Sequence, residues 1–326
     1  MIVRRRFVST GRLPSPEQVQ ALLLEAYARF KEDNGGENAA YYPALARMPG
    51  HLFGLCVAST NGNLISAGDV DDGFTIMSIA KSFTFALVHE VVGSDAVRTY
   101  VGLNATGLPF NSLSAIEQHA NHLTNPMVNP GALATVSLAP GATAEEKWQF
   151  LLAGLSRFAG RLLSVNQEVY TSASASNHRN RAIVQTLRDY DRLSFDPMET
   201  LDVYTRQSCI EVTARDLAVM GATLADGGVN PVTKEQVVNE DTCRHTLAVM
   251  VTAGMYEASG DWLYDVGLPG KSGVGGGIIT VAPGKGALAT FSPRLDAAGN
   301  SVRGQLATQF LSEELGMNLF VSEPVY

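Results

Sequence analysis

Runs with strand character sit near the two ends of this chain, and a long stretch of helical character lies between them. Leu52 to Ser59 is an apolar run. Asn61-Gly62 follows as a two-residue hairpin signal, with Leu64 to Ala67 as the returning strand. The next such runs are Gly267 to Val281 and Ala287 to Ser292, separated by Pro283-Gly284-Lys285-Gly286. A sheet assembled from segments this far apart obliges the intervening residues to pack as a second lobe. The expectation is an α+β fold, a mainly antiparallel sheet flanked by helices plus a helical lobe, with a ligand in the cleft between them.

The helical expectations rest on period and caps. Val19, Leu22, Leu23, Ala26, Tyr27 and Phe30 recur at helical spacing within residues 15–33. Ile76 to Val92 forms a second helix with Gly93 as its stop. Residues 100–142 are rich in Asn, Pro, Gly and Ser and read as irregular structure with short helices. Thr143 and Glu146 make a capping box ahead of Trp148, Leu151, Leu155 and Phe158. Further helices are expected over Asn177 to Asp189, from Thr213 and Asp216 to Gly227-Gly228, and over residues 240–253. Ser301 to Leu315 closes the sequence as an amphipathic helix. This gives an extension at 1–14 and one domain at 15–320. Its sheet lobe spans about 15–75 and 255–320, and its helical lobe about 76–254.

Composition excludes several classes. Charged residues are 17% and hydrophobic ones 45%, a balance that supports a packed core rather than disorder. A net charge of −8 with 24 basic residues argues against nucleic-acid binding, since no basic patch stands ready to displace counterions. No apolar run reaches the roughly 18 residues of a membrane helix. Arg4-Arg5-Arg6 is followed by no apolar h-region, so no secretory signal is expected. Three cysteines, Cys56, Cys209 and Cys243, form no disulfide framework and fit a reducing cytoplasm. His119 and His122 lack the companions a zinc site needs, so no metal or other cofactor is expected.

Ser78-Ile79-Ala80-Lys81 is the one S-x-x-K in the chain. With 23 serines and 6 lysines, chance alone yields about 0.4 such pairs. Its setting adds weight. Ser78 falls at a helix start, where unpaired N–H groups and the positive dipole end favour an alkoxide, and Lys81 lies one turn on. A neutral lysine amine there can take the hydroxyl proton. Lys271-Ser272-Gly273, on a strand leading to Val274-Gly275-Gly276-Gly277, supplies a second element. A backbone N–H in this run can complete an oxyanion hole with that of Ser78. S-x-x-K followed by K-S/T-G on a strand is the pattern of penicillin-recognising serine enzymes.

With these residues in view, the chain resembles the serine-dependent glutaminases of bacteria and animals, which have a β-lactamase/DD-peptidase-like fold. The likeness runs from about residue 15 to 315. Phe74-Thr75-Ile76-Met77-Ser78-Ile79-Ala80-Lys81 resembles the family's F-x-I-Q-S-I-S-K, and Ala40-Tyr41-Tyr42-Pro43 its A-D-Y-I-P. Asn125-Pro126-Met127-Val128-Asn129-Pro130-Gly131-Ala132 is similar to N-P-M-V-N-A-G-A, and Arg179-Asn180 to an R-N after a serine-rich stretch. Tyr204 with Ser208-Cys209-Ile210-Glu211-Val212, Gly254-Met255-Tyr256 and Gly267 to Val274 continue the match.

The resemblance implies Ser78 as nucleophile and Lys81 as its proton acceptor. It implies Tyr41 and Tyr256 beside the reacting amide, with Tyr256 able to shuttle a proton. The N–H groups of Ser78 and Val274 would hold the oxyanion, Asn129, Asn180 and Tyr204 would bind the amino-acid end, and Lys271 would support the site. Two departures stand out. Ala173 occupies the family's Glu position and Met77 its Gln position, both facing the substrate's charged groups, and Glu211 is a candidate replacement carboxylate. Ala80 for Ser is milder.

The activity implied is hydrolysis of the side-chain amide of L-glutamine through an acyl-serine, without cofactor, in a cytoplasmic homodimer or homotetramer. The alternatives are an amidase of the same mechanism on another primary amide, and a non-catalytic binding protein that keeps the fold. The nucleophile with its base argues against the binder, and the lack of an S-D-N argues against a penicillin-directed role.

Overall fold

The computed structural model describes residues 12–322, so Arg4-Arg5-Arg6 and most of the N-terminal extension lie outside the described residues. Helix α1 (Pro16–Phe30) starts at a capping box made by Ser15 and Gln18, with Pro16 in its first turn, and buries Val19, Leu23 and Ala26. A two-residue strand β1 (Glu37–Asn38) and a short helix α2 (Pro43–Ala46) lead to β2 (Gly54–Ser59) and β3 (Leu64–Gly68). These form the expected antiparallel hairpin, with Leu55 opposite Ala67. Its loop differs from the two-residue expectation. The Gly62 N–H donates to the Ser59 carbonyl and the Ser59 N–H to the Asn63 carbonyl. Three residues, Thr60 to Gly62, therefore span the turn, and Gly62 takes the left-handed position at φ 95° that a bulge requires.

After β4 (Phe74–Thr75), a tight turn at Met77–Ile79 enters α3 (Ala80–Tyr100), which is interrupted at Gly93, where the stop was expected. The 100–142 stretch holds α4 (Ser114–Gln118) and α5 (Asn129–Ser137), the latter buried along its whole length. The capping box at Thr143 and Glu146 opens α6 (Ala144–Ala159). Strand β5 (Ser164–Val165) is followed by α7 (Gln167–Ser176), α8 (His178–Asp189) and α9 (Pro197–Ser208). Then come β6 (Ile210–Val212), α10 (Ala214–Ala225), α11 (Glu240–Ala253) and α12 (Ser259–Asp265). The long run from Gly267 to Val281 is not one strand. It folds back at Gly273–Gly276 into β7 (Gly270–Ser272) and β8 (Gly277–Ala282), antiparallel with Lys271 opposite Ile279. Strands β9 (Gly286–Phe291) and β10 (Arg294–Leu295) precede α13 (Val302–Glu314).

The five-stranded sheet has the order β3-β2-β9-β8-β7 and is antiparallel throughout. N-terminal strands thus pair directly with C-terminal ones, as the distribution of apolar runs implies. Alternate residues explain why β2, β8 and β9 read as continuous apolar runs rather than alternating ones. Leu55, Val57, Ile278 and Leu288 face the cluster with Val19 and Leu23 of α1 and Leu311 of α13. Cys56, Ala58, Ile279 and Ala289 face the other cluster, with Leu217 and Met220 of α10 and Phe83 of α3.

Candidate active site

Two features fix the position of Ser78. Ile76 and Ile79 on either side of it are fully buried. The preceding strand is anchored where the Phe74 ring stacks on Phe291 at 4.1 Å. Between these anchors Met77 adopts φ 48°, a strained conformation for a residue with a side chain, which turns the backbone sharply into α3. The Gly273–Gly276 turn is pressed against this segment. A Cβ on Gly275 would lie 2.3 Å from the Thr75 carbonyl oxygen, and one on Gly273 2.9 Å from that of Ile76. Glycine therefore allows the approach that sets Val274 beside Ser78 on one cavity wall.

Lys81 is the second residue of α3, with Nζ 2.9 Å from Ser78 Oγ. The ammonium is buried, at 2% exposure, and its Nζ also donates to Asn129 Oδ1 at 2.7 Å. The rings of Phe110 and Tyr204 stand 5.9 and 6.0 Å from it. Burial alone pushes the Lys81 pKa down to about 7. Lys271, expected to support the site, lies on β7. It is fully buried, donates to the Ser272 carbonyl at 2.7 Å, and sits 4.3 Å above the Tyr256 ring. Burial, and then the charge of Lys81, hold Lys271 itself well below the ordinary lysine range. The cause that lowers Lys81 is burial rather than a second charge.

Asn129, in the first turn of α5, connects the lysine to a row of amides. Its Oδ1 also accepts from Tyr204 Oη at 3.2 Å, and its Nδ2 donates to Asn180 Oδ1 at 2.9 Å. Asn180 donates in turn to Asn177 Oδ1 at 2.7 Å, and Asn177 to Thr205 Oγ1 at 2.8 Å. Each amide is oriented by the next, and the series presents an oxygen to Lys81. Asn177 and Thr205 were not anticipated. Their role depends on contacts across 28 residues of sequence, and no local pattern announces it.

Tyr256 turns at φ 57° and directs its hydroxyl to the Ser272 carbonyl at 3.1 Å. Burial holds its phenol protonated, above the ordinary tyrosine range. Its ring packs on Phe110 at 4.8 Å. Tyr41 stands at the cavity mouth, 57% exposed. Asn129, Asn180 and Tyr204 line the same cavity, whereas Lys81, Lys271 and Tyr256 lie behind its wall. Ala173, Met77 and Cys209 belong to one small buried apolar cluster that also lines the cavity. Glu211 has not moved in to replace the missing carboxylate. It points outward from β6 and accepts from Asn166 at 3.0 Å, while Ile210 and Val212 face inward. Arg179 and Tyr42, which received no role from the sequence, both line the cavity.

Chemically, this is a serine hydroxyl with a lysine able to be neutral near pH 7 and a protonated tyrosine close by. Such a set suits acyl transfer from an amide or ester. A family model described as Glutaminase matches residues 36–320. The chain belongs to the glutaminase family. Glutaminase 2 of Yersinia pestis is 60% identical over 318 residues, spanning 98% of this chain and 94% of that protein. Glutaminase of Colwellia psychrerythraea strain 34H is 49% identical, spanning 94% and 99%. Among solved structures, the probable glutaminase ybaS superposes with a TM-score of 0.93 at 45% identity, covering 95% of this chain and all of that one. Mglu in its tris and glutamate form gives a TM-score of 0.88 at 40% identity, covering 96% and 69%. The glutaminase resemblance and the β-lactamase-like α+β fold expected with it are both upheld.

Proposed function

We propose that this glutaminase hydrolyses the side-chain amide of L-glutamine, giving L-glutamate and ammonia, through an ester on Ser78. The observation that carries the reading is the 2.9 Å contact between Ser78 Oγ and a lysine whose pKa is pushed down to about 7. As a free amine, Lys81 takes the Ser78 proton while Oγ bonds to the amide carbon. The carbonyl oxygen becomes an oxyanion, which the N–H groups of Ser78 and Val274 hold. Collapse breaks the C–N bond, and the nitrogen leaves as ammonia with a proton from the Lys81 ammonium, relayed by the Tyr256 hydroxyl. Water then attacks the ester carbon, passing its proton to Lys81, and glutamate departs with Ser78 restored. Asn129, Asn180 and Tyr204 position the substrate, and Tyr41 covers the mouth.

No step in this scheme requires a metal or organic cofactor. Residues 15–320 act as one catalytic domain in this reading. The three free, buried cysteines are consistent with a cytoplasmic protein, and family likeness favours a homodimer or homotetramer. The acidic balance leaves nucleic acid out as a partner. The test is mass spectrometry of protein treated with an electrophilic glutamine analogue. Mass added at Ser78 supports the scheme, and mass added at Cys209 overturns it.

A further inference from the structure

The cavity that holds Ser78 is unevenly charged. Among the described residues lining it, Arg179 is the one charged side chain and none is a carboxylate. The Arg179 Nε donates to the Asn111 carbonyl at 2.7 Å, which holds the guanidinium at the wall. Nearby acids are engaged elsewhere. Glu168 pairs with Arg47, Asp202 with Arg206 at 2.8 Å, and Glu211 with Asn166 at 3.0 Å. The amide oxygens of Asn129, Asn180 and Asn177 already accept from Lys81, Asn129 and Asn180.

The same cavity also has an apolar part. Ala173, Met77 and Cys209 are 1%, 4% and 1% exposed and pack in one cluster with Val169 and Leu45. Burial pushes the Cys209 thiol up to about 12, so it contributes no negative charge. An ammonium placed against this part loses water and meets no opposite charge, which is unfavourable. A methylene or a capped, uncharged nitrogen gains from the same contact. A carboxylate, by contrast, has a fork-shaped partner in Arg179.

We propose that this site selects ω-amides that keep a free carboxylate and carry an uncharged group where glutamine has its ammonium. N-acylated glutamine is the leading member. The proposal rests on the acyl-serine reading of the same site, and the reaction is unchanged. The C–N bond of the terminal amide breaks, water supplies the oxygen and protons, and the products are N-acylglutamate and ammonia.

Two measurements separate the specificity from the chemistry. The first is ammonia release from L-glutamine, N-acetyl-L-glutamine and glutaramate by the unmodified protein. The two amides without an ammonium should exceed glutamine in kcat/KM by about 10-fold or more, the scale of one lost charge-assisted bond. A higher kcat/KM for glutamine overturns the proposal. The second is calorimetric binding of the same three amides to Ser78→Ala protein, which reads the head group without turnover. The same ranking there, with no ammonia released by the unmodified protein, upholds the selectivity and sinks the acyl-serine reading. Tighter binding of glutamine overturns the selectivity alone. In Ala173→Glu, with Met77→Gln, the ranking should reverse through KM rather than kcat.

Discussion

Asn129 Oδ1 lies 2.7 Å from Lys81 Nζ, and the neighbouring amides hold it in that orientation. A neutral oxygen in this place solvates the lysine without anchoring its proton. A carboxylate in the same place would anchor it, since an opposite charge at this range shifts a pKa by about 1–3 units. In Asn129→Asp the rise of kcat/KM with pH should therefore move upward by at least about one unit. Activity near pH 7 should fall and partly return in alkaline buffer. An unmoved pH profile would show that Asn129 does not face the working base.

The pH dependence of the unmodified protein follows from Lys81 itself. The reactive form is the free amine, and its fraction grows as pH rises through about 7. kcat/KM should climb through that region and level off above it. Lys81→Arg should lose activity by about 10²–10⁴-fold, the scale of general-base catalysis, because a guanidinium does not give up its proton. An active arginine variant would mean that the position supplies only charge.

The same lysine should weaken the fold at neutral pH. Its folded pKa of about 7 lies below the ordinary 10.5, so between those values the unfolded state binds the extra proton. The contribution of Lys81 to stability thus improves as pH rises through that window and is least favourable below about 7. Lys81→Met should be inactive yet more stable at pH 7, by on the order of 1 kcal/mol or more. The gain should shrink toward pH 10. Urea denaturation at several pH values reads both effects.

Ser78 and Cys209 share the cavity, and their protonation separates them. The buried thiol is held up at about 12, whereas Ser78 has a base at hand. Ser78→Ala should abolish ammonia release while leaving the melting temperature nearly unchanged. Cys209→Ala should keep kcat within a few-fold. Loss of turnover in the cysteine variant with full activity in the serine variant would reverse the assignment.

Lys147 stabilises the site from a distance. Its Nζ donates to the Ser137 carbonyl at 3.1 Å, at the C-terminal end of the buried helix whose first turn carries Asn129. Lys147→Met should cost about 1.5–3 kcal/mol, the range for a hydrogen bond to a charged group. A lower urea midpoint with unchanged slope is the expected result. An unchanged midpoint would show that the contact carries no weight.

Much of this arrangement is legible in the sequence itself, in a way that tracks locality. Ser78 and Lys81 share a helical turn, so their contact follows from spacing. The capping boxes at Ser15, Thr143 and Thr213 mark true helix starts because each is closed within four residues. Helices α7 and α9 were not anticipated. The Ser172 to Ser176 run looks like a loop by composition, but the helix is capped by the Asn166 side chain and packs Val169 and Ala173 into the small apolar cluster. The second is signalled by Asp196 as its cap and Pro197 in its first turn, a cue present in the sequence. The outward direction of Glu211 is legible too, since Ile210-Glu211-Val212 alternates as a half-exposed strand does. The amide row through Asn177 joins distant segments, and no single stretch of sequence contains it.

The inserted position of the helical region also orders the protein's birth. Ser78, Lys81, Asn129, Asn180 and Tyr204 all leave the ribosome before β7, β8 and β9 exist. Those late strands complete the sheet beside β2 and bring the Gly273–Gly276 turn against the serine. In the proposed scheme a nascent polypeptide thus carries Ser78 and Lys81 long before it has Val274 or Tyr256. It should stay catalytically silent until synthesis is nearly finished, a silence that ammonia release from ribosome-stalled products of graded length would reveal. The long-range pairing that closes the fold is slow by topology, and so it doubles as a delay on the chemistry.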